Sequence, residues 1–160
     1  MMWNTPDLCD AHPEQAQVLE PLFRDFGGKP AFFGQVVTVH CYEDNSRVKE
    51  LAGTDGDGKV MVIDGGASLR RALIGDQIAL DAVNHGWQGV VINGCARDIH
   101  ELQRMPIGVR ALASIPVKTE KKGLGDVDVP VTFAGQTIEP GMWLYADETG
   151  IVVSKEKLFG

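Results

Sequence analysis

Two short, almost wholly apolar runs constrain this chain more than any other feature. Lys59-Val60-Met61-Val62-Ile63 ends in Asp64-Gly65-Gly66, and Trp87, Val90, Val91 and Ile92 lead into Asn93-Gly94. Neither run alternates polar with apolar residues, so neither has a side suited to water. Both read as interior strands covered on two faces, the usual condition of parallel strands in α/β proteins. Between them Ile78, Ala79, Ala82 and Val83 recur at helical spacing, from a start at Asp76 to a stop at Gly86. Strand, helix and strand in that order place the turns after each strand on the carboxyl edge of a sheet, where α/β proteins bind ligands.

The flanking segments fit the same plan. Thr5-Pro6-Asp7 reads as a helix entry, with Thr5 as cap, Pro6 in the first turn, and Pro13 ending the helix near His12. Val18, Leu19 and Leu22 give a small apolar face that Pro21 interrupts, and Gly27-Gly28 with Pro30 marks a loop. Gly34 to Tyr42 is rich in β-branched residues and predicts a strand. Glu43-Asp44-Asn45-Ser46 breaks it and offers caps for a helix around Val48 to Leu51. Ile99 and Leu102 suggest a helical turn closed by Pro106, and Ile107 to Ile115 another strand. The last third predicts strands at Val127 to Phe133, Thr137-Ile138, Met142 to Tyr145 and Ile151 to Val153, joined by Ala134-Gly135, Pro140-Gly141 and Asp147 to Gly150 turns. The fold expected is α/β, one layered domain over residues 1–160 with a mixed sheet.

Charge and cysteine content exclude several classes of function. A formal charge of −7 offers no Lys/Arg excess to displace counterions from phosphates, which argues against direct nucleic-acid binding and against anionic membrane surfaces. Lys118 to Lys122 is the one basic run, and Thr119 and Glu120 interrupt it, so it reads as a solvated loop. No apolar run is long enough to span a bilayer and the N-terminus has no leader pattern, so a cytoplasmic protein is expected. Cys9, Cys41 and Cys95 are odd in number and widely spaced, the pattern of reduced, mostly buried thiols. His12, His40, His85 and His100 show no zinc spacing, and only His100 stands near the candidate site. Phe32, Phe33, Trp87, Phe133 and Trp143 read as core or subunit interface. The Gly65-Gly66 loop lacks the patterns of dinucleotide and phosphate-binding loops and reads as a flexible cover over a pocket.

The chemistry concentrates between Gly75 and Glu101. Twenty residues separate Asp76 from Arg97, enough for one helix and one short strand, so the turn before the helix and the turn after the strand are expected to meet. The backbone N–H groups of Gly75, Asp76, Gln77 and Ile78 would then offer a site for a carboxylate or a phosphate at a helix start. Arg97 adds a fixed charge able to grip a carboxylate or stabilise an oxyanion. Asp98 is a hard oxygen ligand for Mg²⁺ or Mn²⁺, ions that keep most of their waters, with Asp76 and Glu101 expected to hold those waters.

Gly75-Asp76, the twenty-residue gap, Arg97-Asp98 and the acidic Glu101 resemble the signature of the RraA-like family (regulator of ribonuclease activity A) and its class II pyruvate aldolases. The likeness continues in Leu8-Cys9-Asp10, Asp64-Gly65-Gly66, Gly89 to Ile92 and Asp147 to Val152, and so covers nearly the whole chain. It implies a swivelling β/β/α domain in a ring-shaped homotrimer with sites between subunits. It also implies a divalent metal, Mg²⁺ or Mn²⁺, on Asp98, and a small 2-oxo acid as substrate. One branch cleaves 4-hydroxy-4-methyl-2-oxoglutarate to two pyruvates and decarboxylates oxaloacetate; the other binds ribonuclease E and inhibits RNA processing. Retention of Asp76, Arg97 and Asp98 favours the enzyme, with Arg97 and Asp76 catalytic and a water oriented by Asp76 as proton shuttle. Two departures stand out. Asn93 replaces an Asp frequent before the glycine, which is expected to alter hydrogen bonding at the strand end. The longer aldolases also supply an acidic residue from a C-terminal extension of the neighbouring subunit; this sequence ends at Gly160, so another acid substitutes or catalysis is weak.

Overall fold

A computed structural model describes residues 2–159. Four helices lie in it: α1 (Thr5–Ala11), α2 (Ser46–Ala52), α3 (Asp76–Asn84) and α4 (Ile99–Leu102). The strands are β1 (Gln17–Val18), β2 (Arg24–Asp25), β3 (Phe32–His40), β4 (Lys59–Asp64), β5 (Ala72–Ile74), β6 (Gly89–Ala96), β7 (Gly108–Ser114), β8 (Asp126–Val127), β9 (Val131–Phe133), β10 (Gln136–Ile138), β11 (Trp143–Ala146) and β12 (Ile151–Ser154). The main sheet is mixed, in the order β1-β12-β11-β3-β4-β6-β7-β2, with β5 on β6 and β8 on β3. Its centre, β3-β4-β6-β7, is parallel, and antiparallel strands flank it on both sides.

The apolar runs explain the layering. In β4, Met61 and Ile63 point into one core with Val48 and Ala52 of α2 and Ala79 and Ala82 of α3. Val60 and Val62 point the other way, into a second core with Val131, Phe133 and Ile138 of the β9–β10 hairpin. β6 repeats the division, with Val90 and Ile92 toward the helices and Val91 toward the hairpin. A strand with two dry faces needs a layer on each, and the result is hairpin, sheet, helices: a β/β/α sandwich. Cys41 and Cys95 are buried and all three thiols are unpaired. Among the described residues no helix is long and apolar enough to cross a membrane.

Several boundaries differ from the sequence reading. Asn4, not Thr5, caps α1, its Oδ1 accepting the Asp7 amide at 2.9 Å. Thr5 instead donates through its amide and its hydroxyl to the Asp147 carboxylate, each at 2.7 Å. Val18 lies in β1 against β12, and of the expected apolar face only Leu19 is buried. The Val127–Phe133 strand is broken at Asp128, whose φ of 61° turns the chain from β8 out of the main sheet toward the hairpin. Asn93-Gly94 does not end β6. The strand runs to Ala96 because β5, which the sequence did not announce, pairs alongside it.

Candidate active site

The extension of β6 sets the site's geometry. Because β5 and the end of β6 are parallel neighbours, the residues that follow them, Gly75 and Arg97, emerge side by side at the carboxyl edge, and the Arg97 amide donates to Ile74 O at 2.9 Å. Asp98 then adopts a left-handed conformation, φ 58° and ψ 44°, tolerable for Asp and poor for most side chains. That twist turns its carboxylate back on α3, where Oδ2 accepts the Asp76 amide at 2.9 Å. Arg97 Nε lies 3.9 Å from the same oxygen, and Arg97 Nη1 reaches Pro116 O at 3.4 Å. No other described residue hydrogen-bonds to Asp98 Oδ1.

Gly75 is fixed by this crowding and not by its backbone angles. A Cβ there would lie 2.6 Å from Asp98 Oδ2 and 3.3 Å from Arg97 Nε, so any other residue must push the Asp98 carboxylate from this position. Gly75 is the residue before the first turn of α3, whose first intrahelical bond runs from Ala79 N to Gly75 O. The amides of Gln77 and Ile78 precede that bond and stand open to a ligand. The expected cluster of four amides is therefore smaller: the Asp76 amide already holds Asp98.

These residues line a cavity of about 130 Å³. Gly75, Asp76, Gln77 and Ile78 form one wall and Arg97 and Asp98 another, so all the predicted binding residues meet there. A further cavity of about 220 Å³ opens on the other side of Arg97 and Asp98, against Ile99, Ile115 and Pro116. Glu101 and His100 are exposed on α4 and line neither cavity. The Gly65-Gly66 loop, expected as a cover, lines neither cavity, and Gly66 sits beside Tyr42. Asn93 Nδ2 donates to Asp64 Oδ1 at 2.9 Å, a bond that an ionised Asp at this position could not give.

Three polar residues of the cavity escaped the sequence reading: Asn45, Lys118 and Lys121. The basic run is not simply solvated. Thr119, at its centre, is buried, and its hydroxyl donates to Asn45 Oδ1 at 2.6 Å. The small hydroxyl residue that interrupts the run is what anchors it, and was the one available signal.

The donor set bears on a metal. Among the described residues no three His, Cys, Asp or Glu side chains converge. One carboxylate oxygen of Asp98 without a hydrogen-bond partner, in a polar cavity that Asp76 also lines, suits an ion that keeps its waters, as Mg²⁺ or Mn²⁺ does.

The family model for RraA-like proteins, described as Aldolase/RraA, matches residues 5–153. The chain belongs to the RraA-like family. A protein from Stutzerimonas stutzeri named "Putative 4-hydroxy-4-methyl-2-oxoglutarate aldolase" is 56% identical over 158 residues, 99% of this chain and 98% of that protein. The structure of the RNA-processing inhibitor RraA from Thermus thermophilis superposes with a TM-score of 0.96 at 43% identity, over 100% of this chain and 97% of that one. A Geobacillus kaustophilus structure described as an S-adenosylmethionine:2-dimethylmenaquinone methyltransferase gives a TM-score of 0.95 at 45% identity, over 98% and 97% of the two chains.

Proposed function

We propose that this chain is a divalent-metal-dependent class II aldolase that cleaves 4-hydroxy-4-methyl-2-oxoglutarate to two pyruvates and decarboxylates oxaloacetate as a side reaction. The observation that carries this reading is the meeting of Arg97 and Asp98 with the open amides of α3 in one cavity. Relatives named for the same aldolase activity support it. Asp98 would hold the cation, with Asp76 turned to its waters, and the bound ion supplies Lewis-acid polarisation of the 2-oxo group.

The protein's own groups account for the remainder. The Gln77 and Ile78 amides take the carboxylate beside the 2-oxo group, which fixes the substrate relative to Arg97. The C4 hydroxyl proton leaves through a water oriented by Asp76 as the C3–C4 bond breaks. The electron pair of that bond becomes the pyruvate enolate, whose oxygen Arg97 stabilises, and C3 is then reprotonated to pyruvate. From oxaloacetate, loss of CO₂ leaves the same enolate, so one site serves both reactions. Pyruvate release measured with Mg²⁺ and with a chelator tests the assignment; equal rates, or full activity in Asp98→Ala, would refute it.

A ring-shaped homotrimer with shared sites is part of this reading. Exposed Tyr42, Leu69, Val117 and Leu124 offer apolar surface near the basic segment that borders the cavity. Light scattering should return three times the 17.3 kDa protomer mass.

A second reading has its own support, the likeness to the Thermus RNA-processing inhibitor. On it the chain docks on ribonuclease E through its acidic surface without catalysis. Pull-down by ribonuclease E together with no pyruvate release would favour docking over the aldolase.

A further inference from the structure

The basic segment at the cavity is held with a care that a solvated loop does not need. Asn45 is only 6% exposed, and it occupies the position before α2 where an Asn side chain usually caps the helix. Here it makes no cap bond. Its Nδ2 donates to Leu73 O at 3.1 Å, on the strand that runs into Gly75, and its Oδ1 accepts the Thr119 hydroxyl at 2.6 Å. One side chain thus ties the wall that carries the amide cluster to the segment that carries the lysines.

Neighbouring contacts close the same frame. Arg71 Nη1 donates to Lys118 O at 3.0 Å, and the Ala72 amide donates to Val117 O at 2.8 Å. Downstream, the Lys122 and Leu124 amides donate to Asp44 Oδ2 at 2.8 and 3.2 Å. The backbone is therefore pinned before Lys118, between the lysines and after Lys121, while both lysine side chains stay exposed at the cavity. With Arg97 they outnumber Asp76 and Asp98, so the lining carries a net positive charge that favours an anion.

We infer that Asn45 and Thr119 are positioning residues that hold Lys118 and Lys121 to receive the distal carboxylate of a dicarboxylic 2-oxo acid. The inference rests on the aldolase reading and adds to it a source of substrate choice. Arg97 and the α3 amides account for the end of the substrate that becomes the enolate, which every 2-oxo acid shares. They do not distinguish a carboxylate from a methyl group at the other end. Two ammonium groups on flexible stems, with their backbones fixed, supply that distinction.

The test compares two substrates on the full chain with Mg²⁺. 4-Hydroxy-4-methyl-2-oxoglutarate yields two pyruvates; 4-hydroxy-4-methyl-2-oxopentanoate, with a methyl in place of the distal carboxylate, yields pyruvate and acetone. Lys118→Ala/Lys121→Ala should reduce the preference for the dicarboxylate, read as the ratio of KM values, by about tenfold, the worth of roughly 1.4 kcal/mol. Thr119→Val, which keeps the shape and removes the hydroxyl, should move the ratio in the same direction, and Thr119→Ser should restore it. The Val and Ser pair keeps the test open if Asn45→Ala fails to fold. An unchanged KM ratio in the lysine and Thr119→Val variants overturns the inference while leaving the aldolase intact. Cleavage of neither substrate by the unmodified chain overturns the aldolase reading, and this one with it.

Discussion

Two Arg/Asp neighbourhoods in this molecule differ in how many of their polar atoms are already engaged. Around Asp147 nearly everything is taken, and Arg110 is buried against it, although its Nε has no hydrogen-bond partner among the described residues and lies 3.8 Å from Asp25 Oδ1. Asp147 accepts the Thr5 amide and hydroxyl and the amides of Thr149 and Gly150. Burial pushes its carboxyl up, but those four donors outweigh burial and hold it below the usual carboxylate range. The Arg110 side chain is 7% exposed, and its Nη2 donates to Pro30 O and to Asp147 O at 2.7 and 2.9 Å. Arg97 and Asp98, with side chains 38% and 34% exposed, share one amide bond, one long bond to a carbonyl and a 3.9 Å ion pair. The first pair is consumed in joining α1, β7 and the end of β11. The second keeps its capacity for a ligand, and that separates a structural charge from a chemical one.

The sharpest way to break the comparison is to remove one member from each neighbourhood. Arg97→Ala should lower kcat/KM for pyruvate release by roughly 10²–10³, with Tm changed by no more than about 2 °C, since its contacts are exposed. Asp147→Ala should do the reverse. It strands the two buried Thr5 donors and removes the acceptor of the more exposed Thr149 and Gly150 amides, at a cost of about 3 kcal/mol, which lowers Tm by roughly 6–12 °C in a chain of this size. Steady-state kinetics beside thermal melts read both variants. Equal melting losses in the two would remove the distinction.

Gly75→Ala sharpens the same contrast at the open site. The added methyl must displace Asp98 or Arg97, because it would sit 2.6 Å from one and 3.3 Å from the other. Displacement of an ångström at a reacting group costs about 100-fold in rate. Loss of activity with an unshifted melt is expected; an active variant would mean that Asp98 and Arg97 have slack and need no fixed placement.

How much of this was legible in the sequence follows from the same division. The parallel strands were readable because Val60 to Ile63 and Val90 to Ile92 are apolar at every position, a pattern that needs no knowledge of partners. The meeting of Asp76 with Arg97 and Asp98 was readable because helix and strand lengths fix where the chain returns. The short strands β1, β2 and β5 left no trace, since pairing and not propensity makes them strands. Thr5 and Asp147 are 142 residues apart, and nothing local in either segment announces the bond. Arg110 sits inside a strand that reads as small and apolar, and only the packed structure reveals the carbonyls that receive it. The basic run is the exposed loop its charge predicts, but its anchor was not legible: Asn45, which accepts the Thr119 hydroxyl, is 74 residues away.

Asp44 extends the comparison to a third carboxylate and gives the smallest effect. Burial raises its carboxyl, yet the Ser46 hydroxyl and amide and the Lys122 and Leu124 amides hold its pKa at about 2, against 3.8 for an ordinary Asp. A folded-state pKa below the unfolded one stabilises the fold above pH 3.8, and that contribution disappears as pH falls toward 2. The amount at stake is roughly 2 kcal/mol. Urea melts between pH 5 and pH 2 should show this acid limb, and Asp44→Asn should flatten it, because an amide has no charge for those donors to favour. If Asp44→Asn leaves the slope unchanged, the hydrogen bonds at Asp44 do not favour its charged form, and the anchor below Lys122 would hold equally well with a neutral acceptor.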